Sequence, residues 1–84
     1  MASRRRRREQ ERLSEFQRAC GNRAEDYTLL ALRTDDPVVR AGARQMAEVS
    51  NRSAGQTLWE SLVDPRNAST PAMRRARQAL RDGA

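Results

Sequence analysis

The chain has 84 residues, with 17 basic and 11 acidic side chains, a formal charge of +6, and arginine at every basic position. Apolar residues make up 37%, but 13 are alanine, and Leu, Ile, Val and Phe together number only 12. One domain with a modest private core is therefore the most the chain can build. No apolar run approaches the ~18 residues of a membrane span. No apolar stretch follows the charged N-terminus, as a secretory signal requires. Histidine is absent and Cys20 is the single cysteine, so a zinc site, an internal disulfide and a Cys–His nucleophile are excluded. With no phosphate-cradling glycine loop either, the sequence predicts a non-enzymatic protein. It needs no cofactor, metal or small-molecule substrate, avoids membranes, and is placed in the cytoplasm, nucleus or a virion rather than secreted.

Arg4, Arg5, Arg6, Arg7 and Arg8 open the chain. Five adjacent cations repel one another and bury nothing, so residues 1–8 read as a solvated arm ahead of a single helical domain over 9–82. Arginine forks match phosphate oxygens and shed little hydration, which suits the arm to a nucleic-acid backbone. An acidic protein surface is the competing partner. No aromatic residue interleaves with the arginines, so there is no base-stacking platform, and contact with phosphate alone carries no sequence information.

Strand signals are nearly absent, whereas helical spacing recurs. A first helix is expected from about Arg4 to Cys20, with Leu13, Phe16 and Cys20 on one stripe and Cys20 acting as a small buried hydrophobe. Gly21 and Asn22 read as its stop. Asn22 and Glu25 have the spacing of a capping box for a second helix to about Arg33. That helix buries Tyr27, Leu30 and Ala31, while Leu29 and Leu32 widen the face. Asp35 and Asp36 before Pro37 read as cap chemistry rather than an acid/base or magnesium pair. The third helix turns Val39, Ala43, Met46 and Ala47 inward and ends near residues 50–53. Ser53 and Gln56 are the expected cap of a fourth, with Leu58, Trp59, Leu62 and Val63 at helical spacing, stopped by Asp64 and Pro65. After a loop through Asn67, Thr70 and Pro71 start a last helix that buries Met73, Ala76 and Leu80. The expected fold is all-α: a small bundle of four to five short helices, possible only with neighbours in its assembly-dependent form.

Placing Pro37 on Pro71 aligns two segments at an offset of 34, with Val39 on Met73, Arg40 on Arg74, Gly42 on Ala76 and Met46 on Leu80. The stretch from Leu29 to Ala43, with its Asp-Pro turn followed by valine and arginine, resembles a single HEAT-type helical repeat across residues 29–49. That resemblance implies stacked helical hairpins whose surface binds protein or nucleic acid. A stable array needs about three repeats and two are present at best, so a bundle is expected. A helix-turn-helix over residues 45–62 fails, because its turn lacks an early glycine and Thr57 and Glu60 fall on apolar positions.

Charge is segregated. Residues 9–65 carry seven arginines against ten acids, whereas residues 66–84 carry five against Asp82 alone. Arg74, Arg77 and Arg81 are expected on one face of the last helix, opposite Met73, Ala76 and Leu80. With Arg75 and the arm they are the candidate nucleic-acid contacts. Trp59 is expected as a core anchor or, with Leu29 and Leu32, as a hot spot at a subunit interface. The function predicted is binding of DNA or RNA backbone within a homo-oligomer or larger assembly, as in a viral or phage structural, packaging or accessory protein. The alternative is a protein-interaction module whose arm grips an acidic partner.

Overall fold

The structure is a computed structural model that describes residues 2–83, with side chains from residue 15 onward. The expected arm, Arg4 to Arg8, and Leu13 therefore fall among side chains outside the described residues. The described chain is all-helical: α1 (Ala2–Arg33), α2 (Pro37–Ala54), α3 (Leu58–Val63), a 3-10 turn (Pro65–Asn67) and α4 (Pro71–Arg81).

The expected break at Gly21 and Asn22 does not occur, and α1 runs through both. A glycine inside a helix costs only about 1 kcal/mol relative to alanine. The buried stripe continues past it as Cys20, Ala24, Tyr27 and Ala31, at spacings of four, three and four residues. Packing along that stripe outweighs the local stop signal, and the Asn22–Glu25 capping box is not formed.

The turn into α2 is built as its residue types require. The Asp36 carboxylate accepts from the Val38 and Val39 N–H groups at 2.9 and 3.3 Å, and Pro37 takes the first helical position. Arg40 Nη2 closes back on the Thr34 carbonyl at 2.6 Å. α2 is the central helix and packs against both α1 and α4, which touch each other far less. Its Val39, Ala43, Met46 and Ala47 are all buried, as expected, together with Tyr27, Leu30 and Ala31 of α1 and Met73 and Ala76 of α4. α4 approaches α2 closely at Gly42, where an added Cβ would lie 1.8 Å from the Ala72 carbonyl oxygen. Thr70 caps α4 through the Met73 N–H at 3.2 Å, and its own hydroxyl meets Gln45 Oε1 of α2.

The fourth expected helix is shorter than its pattern implied and is capped differently. Ser53 lies inside α2 and is buried. The cap is Thr57, whose Oγ1 accepts from the Glu60 N–H at 3.1 Å while the Glu60 carboxylate accepts from the Thr57 N–H at 3.0 Å. Polar contacts then fasten α3 and the 3-10 turn to the end of α2. Asn67 is their hub: its Oδ1 accepts from Arg52 Nη1 at 2.6 Å, and its Nδ2 donates to the Ser61 carbonyl at 3.0 Å and to Gln56 Oε1 at 3.2 Å. Ser53 and Ser61 hydroxyls meet at 2.7 Å. Asn67→Ala removes every contact of the Asn67 amide, a long one to Ser61 Oγ at 3.5 Å included. It is expected to weaken this corner by about 1–3 kcal/mol, speeding amide exchange over residues 57–67 while the amides of Leu30 and Ala43 stay protected.

Acid should loosen the same corner and the turn before α2. Arg66, Gln56 and the Arg66 N–H hold Asp64 well below the usual carboxylate range. The Val38 and Val39 N–H groups, with Arg75, lower Asp36. Both depressions stabilise the fold above the ordinary value near 3.8. That contribution is lost as pH falls below it, which a helix-monitored acid titration would register.

Candidate nucleic-acid and partner surfaces

The structure brings the four C-terminal candidate arginines onto α4 but not in the arrangement expected. Successive helical residues are about 100° apart, so Arg77 sits about 40° from Met73, and Arg81 and Arg74 follow at about 80° and 100°. The stripe therefore borders the buried side rather than opposing it. Its members differ accordingly. Arg77 is half-buried and donates from Nη1 to Ser69 Oγ at 2.9 Å, and Arg81 donates from Nη2 to Gln78 Oε1 at 3.0 Å. Arg74 is exposed, and its guanidinium makes no hydrogen bond among the described residues. Arg75 points elsewhere, toward the Asp36 carboxylate that caps α2, at 3.4 Å.

Two arginines are held by carboxylates, Arg75 by Asp36 and Arg66 by Asp64. Arg74, Arg77 and Arg81 make no ion pair among the described residues, and Asp82 accepts instead from Gln78 Nε2 at 2.9 Å. Unopposed guanidinium groups along one edge keep their donors for an external anion.

One residue expected only as core also packs against α4 beside this edge. Tyr27 of α1 is buried, and its phenol lies in the field of Arg77, Arg23 and Arg81. Arg23 lies one helical turn before Tyr27 on α1. A basic residue beside an inward tyrosine gives no signal until α4 is placed against it.

The apolar candidates are all displayed. Trp59 is 72% exposed and so is not a core anchor. Leu58, Leu62 and Val63 are exposed as well, leaving α3 with no buried residue. The polar contacts around Asn67 hold α3 in place, so its apolar side chains are free to point outward. Leu29 and Leu32 are likewise exposed, at 51% and 78%, rather than extending the buried face. Leu32 borders an open groove of about 250 Å³ between α1 and α2, lined also by Thr28, Ala31, Arg44, Ala47 and Glu48. Cys20, by contrast, is buried and free as expected, and burial pushes its thiol up against the opposing pull of Arg23.

Among the described residues no group of His, Cys, Asp and Glu could hold a metal ion, and no helix is long and apolar enough to cross a membrane. The chain matches no protein family, no curated protein and no solved structure.

Proposed function

We propose that this chain is a small basic helical protein that binds the phosphate backbone of nucleic acid without reading sequence, acting within an oligomer or larger assembly. The observation that carries this reading is the unopposed arginine edge of α4. Arg74, Arg77 and Arg81 have no acidic partner among the described residues, in a chain where other cations do. The five arginines of residues 4–8 add to the same charge, and contacts of this kind position a backbone without specifying bases. The first test is whether the purified protein carries nucleic acid, read from its ultraviolet absorbance ratio, and whether it binds labelled DNA or RNA at low salt. Binding of unrelated sequences with similar affinity is expected. Absence of binding to either at low salt overturns the reading.

A second reading, a protein-interaction module, is favoured by the outward apolar side chains of α3. Exposed clusters of Leu, Val and Trp mark contact surfaces more often than free solvent faces. A pull-down repeated after nuclease treatment separates the two, since direct protein partners survive the nuclease and nucleic-acid-bridged ones are lost.

A further inference from the structure

Two apolar features of the fold have no described residue laid over them, and they are opposite in shape. The first is the groove between α1 and α2. Ala31 of α1 and Ala47 of α2 line it and are themselves buried, so two small side chains leave a dent where larger ones would close the seam. Thr28 brings a hydroxyl to the groove, but that donor is spent on the Ala24 carbonyl at 2.8 Å. Leu32 forms an exposed apolar wall, and Arg44 and Glu48, one turn apart on α2, supply a polar rim. At about 250 Å³ the groove falls below the ~300–1,000 Å³ of small-molecule sites, which leaves a single large side chain as the fitting occupant.

The second feature is convex. α3 displays Leu58, Trp59, Leu62 and Val63, all exposed, on a helix of six residues. The display is held rigid, because the Thr57–Glu60 capping box closes the start of α3 and Asn67 ties it to α2. A surface ordered before contact loses little freedom on binding. None of the four side chains lines the groove. α3 follows the end of α2 at Ala54, whereas the groove is lined from α2 by Arg44, Ala47 and Glu48. Each molecule therefore carries a projection and a recess that do not meet within it.

We propose that α3 of one copy of this chain docks in the α1–α2 groove of another, seating the Trp59 indole between Leu32 and Ala47. Charge favours a second copy as the occupant. Glu60, beside Trp59, and Arg44, on the groove rim, each make no ion pair among the described residues. Docking brings these opposite charges together, while Glu48 on the same rim repels Glu60 from the wrong register. Packing α3 against α3 would instead oppose two convex faces, bring two Glu60 carboxylates near each other and leave the groove empty. The contact is head-to-tail, so copies add in a row or close into a ring. It deepens the interaction-module reading of α3, on which it rests, by naming the partner and the receiving surface. The α3 patch exposes on the order of a few hundred Å², against the ~800 Å² that each partner gives to a standard interface, so the association is expected to be weak and concentration-dependent.

The experiment sediments the full-length protein, after nuclease treatment, from about 1 μM to 1 mM. High salt is used, because it weakens contacts made through nucleic acid and screens the repulsion between copies of charge +6. Association that grows with concentration is expected, with a blue shift in the emission of Trp59, the single tryptophan. Trp59→Ser should weaken association about thirtyfold or more, as for an interface hot spot. Leu32→Glu should do the same while leaving α3 intact. Both positions are exposed, so both variants should keep the wild-type helical signal. Mixing the two variants tests the pairing itself. One supplies an intact groove and the other an intact α3, so dimers of one copy of each should form and grow no further. Wild-type association of Leu32→Glu overturns the groove and points to α3 pairing with itself. A mixture that stays monomeric, or a wild type monomeric throughout, overturns the proposal. A monomer that still holds a nuclease-resistant protein in a pull-down overturns self-docking alone and leaves the interaction-module reading standing.

Discussion

Gly42→Ala is expected to destabilise the protein by about 3 kcal/mol, the upper end for overpacking a tight contact. Two effects of opposite sign act at this position. Alanine is the better helix former by about 1 kcal/mol, which alone would stabilise α2. Against that, the new Cβ would sit 1.8 Å from the Ala72 carbonyl oxygen and 2.4 Å from its carbonyl carbon. Both are backbone atoms at the start of α4, so no rotamer change relieves the overlap and the whole helix must move. The displacement would loosen Met73 and Ala76, which are buried against α2. Gly21 is the internal control, since it is also helical but has nothing within 4 Å of an added Cβ. Gly21→Ala should therefore stabilise by about 1 kcal/mol. Urea unfolding of the two variants checks both signs together. A stabilised Gly42→Ala would contradict the packing of α4 on α2.

Leu30→Ala is expected to cost about 3 kcal/mol, within the range of 2–5 for a leucine truncated in a core. Leu30 is fully buried and is the largest side chain so enclosed among the described residues. A domain of this size holds roughly 4–12 kcal/mol in total, so the loss would leave an appreciable unfolded fraction on mild heating. Leu32→Ala, two residues along the same helix at a site 78% exposed, should stay within about 0.5 kcal/mol. Thermal denaturation of the pair measures how sharply the core ends. Equal costs at the two positions would mean that Leu32 is covered in solution, as the assembly reading expects only at high protein concentration.

Local chemistry was the most legible part of the fold. Asp36 with Pro37, and Thr70 with Pro71, announce helix starts because a cap and its recipient N–H groups lie within three residues of each other. The inward sets of α2 and α4 followed from spacing alone. Gly21 misled because a glycine stop is a local preference of about 1 kcal/mol, and the stripe from Cys20 to Ala31 overrides it. Trp59 misled for another reason. Helical spacing says which residues share a face, but not whether another element reaches that face. Here the link between α3 and α2 is polar and centred on Asn67, whose contact with Arg52 spans 15 residues and leaves no pattern in sequence. The candidate site divides the same way. Arg74, Arg77 and Arg81 were legible as a stripe, whereas the Tyr27 phenol enters the field of Arg77 and Arg81 only through the docking of α4, fifty residues further along the chain.

The most direct measurement is the salt dependence of nucleic-acid affinity for the full-length protein and for a variant carrying Arg74→Gln, Arg77→Gln and Arg81→Gln. Each phosphate neutralised contributes about 0.9 to the slope of log affinity against log salt. The triple variant should lose about 3 units of slope while keeping its helical signal and its indifference to sequence. A slope unchanged by the three substitutions would contradict the assignment of the α4 edge as a phosphate-binding surface.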